Sequence, residues 1–287
     1  LSPPLVCLGK PERPQMSTYQ TEIAEWQQKR DAELRSPDGW LTLAGLFWLE
    51  SGENHFGGDP ANHIQFPGVS VPRLGTFSVT DAGVEMTVVP GIRVTHQDVP
   101  VSRMSLTEAE MDEPVFAYGS LRWFVIRRDG RWAVRLRDHA HPALVAFPGV
   151  DNFPVDPAWR VSARLEPHPA PMTVSVPTIL GTVNPTPSPG ILRFTLMDQA
   201  QSLIALGQTG KPLFLIFADA TSGKETYGSG RFLSVDAPDA DGHTVIDFNR
   251  AYNPPCAFTP FATCPLPPAG NRLVIAITAG EKKYGDH

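Results

Sequence analysis

The sequence predicts a mostly β protein, an antiparallel β-barrel or sandwich carrying one long N-terminal helix. Three observations lead there. First, 30 prolines and 24 glycines are spread along the 287 residues. Proline breaks helices and central strands, so a chain so punctuated is built of short elements joined by turns. Second, from residue 52 onward the apolar pattern repeats every second residue, the period of a half-buried strand. Third, convincing helical spacing occurs near the start and nowhere else at length.

That helix spans Tyr19 to Leu34, with Ser17 or Thr18 as its cap. Ile23, Trp26 and Arg30 share one face, and Glu22, Glu25 and Lys29 point outward. It stops before the turn Ser36-Pro37-Asp38-Gly39. Residues 40–50, WLTLAGLFWLE, are apolar all round and too short to cross a membrane. They read as a buried short helix or a strand. Hairpins follow at Phe77 to Val89, around Asp81-Ala82-Gly83, and at LRWFVIRRDGRWAVRLRD, where two alternating runs meet at Asp129-Gly130. Further strands are expected at Gly91 to Thr95, Pro100 to Leu106 and Val115 to Tyr118. The proline-rich stretch 142–159 reads as a connector, compatible with two lobes dividing near residue 155. Beyond it, strands are expected near 161–166, 172–176, 181–183, 190–196, 202–206, 213–218, 231–235, 244–249 and 272–278.

Hydrophobic residues make up 41% and charged residues 19%, with a net charge of −6. Such a composition folds, and its acidic balance argues against a nucleic-acid partner, which needs a basic face. No run of apolar residues is long enough for a membrane span. Residues 1–15 lack the organisation of a signal peptide and read as an extension, disordered or foreign to the body that begins at Met16. A cytoplasmic location is the default expectation. The oligomeric state is not encoded in any feature of the sequence.

Four stretches together are unusual: GWLTLAGLFWLESGENHFG (39–57), TYGSGRFL (226–233), DFNRAYNPPCAFTPFATCPLPP (247–268) and NRLVIAITAGEKKY (271–284). With them the chain, from about Tyr19 to Tyr284, resembles the DUF1684 family of proteins of unknown function. The resemblance implies no reaction, so no residue takes a role from it.

Candidate sites therefore rest on the residues alone. In Val245-Ile246-Asp247-Phe248-Asn249, Ile246 and Phe248 face one side while Asp247 and Asn249 face the other, and Arg250 follows at the mouth of a stiff loop. A carboxylate, an amide and a guanidinium so placed would rim a binding site, or would tie down the loop backbone. Asp219 opens a loop after the apolar strand LFLIFA. Gly223-Lys224 in that loop does not make a phosphate loop, because the glycine spacing is wrong and Glu225 stands where Ser or Thr is required. Arg231 follows glycines 228 and 230 and suits an anion or a partner in Asp219 or Asp247. Arg135 and Arg137 share one face of their strand, as an anion site or a solvated edge. His139 and His141, beside Asp138, form a weak metal signal. Glu281 is either an acid or the surface partner of Lys282 or Lys283.

The loop NPPCAFTPFATCPLPP (253–268) carries six prolines and two of the three cysteines, Cys256 and Cys264. Two thiols eight positions apart admit a disulfide, a reactive or metal-binding pair, or two small buried residues. They are expected to be reduced and buried, in a rigid wall of the pocket. The functional expectation is a β-barrel binding a small polar or anionic ligand, with catalysis and any cofactor left undecided and no metal assigned. Two alternatives stand beside it: an interaction module presenting the rigid proline-rich loop, and a metal-binding protein.

Overall fold

A computed structural model describes residues 18–107, 115–128 and 130–285. The expected extension, Ser17 and the turn residue Asp129 lie outside the described residues. Helix α1 spans Thr18–Arg35. It buries only Ile23 and Leu34 completely, so polar anchors must hold most of it in place.

The first half of the chain forms β1 (Leu43–Trp48), β2 (Gly52–Gly57), β3 (Ile64–Gln65), β4 (Gly75–Thr80), β5 (Gly83–Val88), β6 (Thr95–His96), β7 (Val99–Pro100), β8 (Arg103–Leu106), β9 (Phe116–Tyr118), β10 (Leu121–Arg128) and β11 (Arg131–Asp138). Two sheets result, ordered β1-β11-β10-β9-β6-β7 and β3-β2-β4-β5-β8. Pairing is antiparallel except between β2 and β3. The ambiguous segment 40–50 resolves into a single 3₁₀ turn, Trp40–Thr42, followed by β1 against β11. The two sheets share one apolar core, in which Phe56 stacks on Phe77 at 4.6 Å and meets Trp123 at 5.8 Å. Aromatic rings at these separations add modest attraction to the large burial of apolar area.

The short helix α2 (Pro142–Ala146) opens the second half. It is followed by β12 (Arg160–Pro177), β13 (Val183–Leu196), β14 (Gln199–Ala205), β15 (Leu213–Phe217), β16 (Arg231–Val235) and β17 (His243–Asp247). These make a sheet ordered β14-β13-β12-β17 and the pair β15-β16, all antiparallel. A second core lies among them, built around Leu192, Leu203, Leu215, Phe217, Leu233, Ile246 and Phe248.

Several expectations are corrected, among them the strands at 91–95 and 181–183, where only Thr95 and Val183 are in strands. The sheets are open, and none formed by the described residues closes into a barrel. Residues 272–278 are not a strand: they run beside the end of β15 through a bridge from Ala218 to Arg272, and Ala220 N–H donates to the Ile275 carbonyl. The separate strands expected at 161–166 and 172–176 are one long strand, bent by a register shift between Pro167 and Met172.

Candidate functional site

Strand β15 ends at Phe217, and β16 begins opposite it with Arg231. Asp219 and Arg231 therefore meet inside the second core, with Arg231 Nη2 2.9 Å from Asp219 Oδ2 and both side chains buried. Arg231 also donates to the carbonyls of Ile277, Ala279 and Glu281. Asp219 Oδ1 accepts from the Thr221 and Ile277 amides. Burial lowers the Arg231 pKa, and Asp219 pulls it back up. The pair ties residues 277–281 to the β15-β16 hairpin; its groups face backbone, not solvent.

Asp247, Asn249 and Arg250 sit where β17 runs into a 3₁₀ turn that Asp247 caps. Tyr19 of α1 donates its hydroxyl to Asp247 Oδ1 at 2.8 Å and accepts from Asn249 Nδ2 at 3.0 Å. Burial, then Asp247, raises the Tyr19 pKa, so the phenol stays protonated. Asn249 also exchanges two hydrogen bonds with the backbone of Asp156. Arg250 lies 3.8 Å from Asp247 and is partly exposed. This group fastens α1 and the connector to the end of β17. The Asp219–Arg231 pair and the Asp247 group are two separate clusters, each with partners of its own.

Arg137 donates to the Gly39 carbonyl and to Thr42 Oγ1, holding the 3₁₀ turn before β1. Arg135 exerts its charge on Cys264, across from the other half of the chain. His139 and His141 do not share a strand face: β11 has ended, and His141 caps α2. No group of three His, Cys, Asp or Glu that could hold a metal occurs among the described residues.

Glu281 is the largest surprise. It is buried, and pairs with Arg30 of α1 at 3.1 Å while accepting the Asn253 amide at 2.7 Å. Burial raises its pKa, opposed by Arg30. Gly280, at φ +74°, makes this approach feasible: a Cβ there would run into the carbonyl oxygens of Ala251 and Phe248. Arg30 in turn donates Nη2 to the Asn253 carbonyl and lies 4.3 Å from the Trp40 ring centroid and 4.8 Å from that of Tyr252. Tyr252 is placed by reciprocal backbone hydrogen bonds with Phe232 of β16. Together Trp26, Lys29, Arg30, Glu33, Trp40, Ser234 and Tyr252 line a cleft of about 320 Å³. Trp26 stands 6.4 Å from Tyr252, and Lys29 and Glu33 sit exposed at the rim. Nη1 of Arg30 has no partner among the described residues. The signal for this cleft was a cation on the inward face of α1, in line with Ile23 and Trp26; its aromatic partners come from segments too distant in sequence to be paired by inspection.

The proline-rich loop is a seam rather than a surface. Thr259 Oγ1 reaches the Leu43 carbonyl, Leu266 N–H donates to Pro177, and Ile179 N–H donates to Cys264. Phe258 packs against Trp40, Phe147 and Tyr284, and neither it nor Phe261 nor Leu266 is exposed. Both cysteines are free thiols, Cys264 buried and Cys256 only half-buried. The Cys256 amide donates to Cys264 Sγ at 3.1 Å, and the Tyr227 hydroxyl donates to the Cys256 carbonyl at 3.2 Å. A hydrogen bond from the Cys264 thiol, against the cost of burial, lowers the Cys256 pKa to about 7, and Tyr227 assists. The same bond, with burial, pushes Cys264 up.

Fold and site define a mostly β protein of antiparallel sheets with a cleft between its N-terminal helix and β16. Residues 145–282, which contain that core, match the model of a family described as proteins of unknown function, DUF1684. The chain belongs to that family, and the segment 39–57 lies outside the matched residues. An uncharacterized protein from Haloarcula marismortui, solved in solution, is 32% identical over 50% of this chain and 80% of its own, with a TM-score of 0.42. A structure from a study of phosphothreonine-dependent FHA domain interactions is 17% identical over 33% of this chain and 94% of its own, with a TM-score of 0.21. No curated protein matches the chain.

Proposed function

We propose that the protein binds a small ligand with a flat apolar body and an acidic or carbonyl acceptor group, in the cleft between α1 and β16. The observation that carries this is the Arg30 guanidinium, held between Trp40 and Tyr252 with Nη1 left without a described partner. Pockets of a few hundred Å³ with aromatic walls and a few polar groups take small molecules. Trp26 and Tyr252 offer faces for the apolar body, Lys29 a second positive charge at the rim, and Ser234 a hydroxyl. Arg30 is preorganised by Glu281 and Asn253, so little ordering is lost on binding. In this reading Asp219, Arg231, Asp247, Asn249, Arg250 and Arg137 hold the walls together and do not touch the ligand. Two free thiols suit a reducing compartment, and we place the protein in the cytoplasm.

Thermal denaturation with a panel of benzoates, indole carboxylates and aryl phosphates tests the proposal. At least one class should raise the midpoint of the intact protein. Lys29→Ala should abolish that rise while leaving the midpoint without ligand unchanged, and Trp26→Ala, which also loses its packing on Tyr252, should abolish it from a lower starting midpoint. No response to any member of the panel, or a response that survives both substitutions, overturns it.

A further inference from the structure

The cleft makes no use of the two thiols, yet their placement is asymmetric and close. Cys264 Sγ lies 3.1 Å from the backbone nitrogen of Cys256, so its sulfur sits beside the base of the other side chain. Cys256 is half-buried and Cys264 is buried. Pro254 and Pro255 precede the first cysteine and Pro265 follows the second, which stiffens both attachment points. The Tyr227 hydroxyl fixes the turn at Cys256 by its carbonyl. A half-buried thiol with a buried thiol in reach of it is the arrangement of an attacking and a resolving sulfur.

We propose that Cys256 and Cys264 are a redox-active dithiol, in which a hydroperoxide oxidises Cys256 and Cys264 converts the product to an intramolecular disulfide. The Cys256 thiolate attacks the terminal peroxide oxygen. The O–O bond breaks, its electron pair leaves on the other oxygen, and that oxygen takes a proton from water, giving an alcohol, or water from hydrogen peroxide. Cys256 is now a sulfenic acid. The Cys264 sulfur attacks the Cys256 sulfur, the S–O bond breaks, and the hydroxide released combines with the Cys264 proton to give water. Two thiols and one peroxide thus become one disulfide, one alcohol and one water. A dithiol reductant restores the pair by donating two hydrogens. The hydrogen bond that lowers the Cys256 pKa supports the first step, because the thiolate is the nucleophile.

The test uses the full chain with Cys7→Ser, reduced and treated with one equivalent of hydrogen peroxide at pH 7. Free thiols are then blocked with N-ethylmaleimide and the peptides are read by mass spectrometry. The folded protein should form a 256–264 disulfide about ten-fold faster than the same chain oxidises in urea, from the larger thiolate fraction of Cys256. With Cys264→Ser added, dimedone should trap a sulfenic acid on Cys256. With Cys256→Ser added instead, Cys264 should oxidise no faster than in urea. Equal rates in the folded and unfolded Cys7→Ser chain overturn the proposal even if the double variants fail to fold. So does oxidation that begins at Cys264, or a disulfide that forms only between chains.

Discussion

At the scale of single residues, Arg231 is a costly group, a charge buried completely. Its charge is offset inside the core by Asp219 and three carbonyls. Arg231→Met would leave the Asp219 carboxylate buried without its cation, and should cost about 3–5 kcal/mol in urea denaturation. Asp219→Leu added to it should recover part of that loss, since the uncompensated charge is then gone. Backbone strain gives a prediction of opposite sign. The hairpin between β13 and β14 turns through Met197 and Asp198, both at positive φ. Replacing them with Asn-Gly, the pair this turn favours, should raise stability by about 1 kcal/mol. The same turn shows why some hairpins were legible and others were not. Asp81-Ala82-Gly83 and the Gly130 turn announce themselves by glycine. Met197-Asp198 and Gln97-Asp98 adopt the same left-handed backbone with no such signature, because their strands impose it.

At the scale of elements, α1 was readable from its 3.6-residue spacing, but its attachment was not. An apolar stripe would have predicted an apolar seat. Instead the helix is pinned by Tyr19 to Asp247, Arg30 to Glu281, and Arg35 to the Phe147 carbonyl. Tyr19→Phe should cost about 1 kcal/mol, the worth of an ordinary hydrogen bond. Arg30→Gln should do more and add a pH dependence. Burial holds the Glu281 carboxyl above its unfolded pKa, and Arg30 opposes that rise; Asp31 adds to it. Without Arg30 the folded pKa climbs further. A group so raised contributes stability that is fully present below its unfolded pKa, about 4.3, and is lost as pH rises through the folded value. Arg30→Gln should therefore be less stable at neutral pH than at mildly acidic pH, and Glu281→Gln added to it should flatten the profile. An unchanged slope in the double variant would assign the effect elsewhere. The buried Glu281 escaped the sequence because two lysines follow it and suggest a surface, whereas Arg30 lies 251 positions away.

At the scale of the whole molecule, the proline-rich loop links the two cores. It touches Leu43 on one side and residues 177 and 179 on the other, with Phe258 in a third cluster that joins Trp40, Phe147 and Tyr284. Phe258→Ala should cost about 2–3 kcal/mol, toward or below the low end for an aromatic truncation because the ring is only partly buried. Calorimetry should then resolve two unfolding transitions where the intact chain gives one. A single transition in the variant would mean that the cores are coupled by some other contact. The mostly β class followed from proline and glycine content together with period-two runs, which are local facts. Whether sheets close on themselves depends on register and edge partners, which no local pattern encodes, and here the edges stay open.

The anchoring of α1 to the far end of the chain has a consequence for how the protein is made. Translation delivers Arg30 long before its carboxylate at Glu281, and 251 residues at bacterial to eukaryotic elongation speeds take roughly 12–50 s. Over that interval the nascent helix has neither Glu281 nor, for most of it, Asp247, and a helix in a protein draws most of its stability from such tertiary contacts. A helix made this early is therefore locked down late. Until then the rings of Trp26 and Trp40 are exposed to whatever chaperone or neighbouring chain the cell supplies.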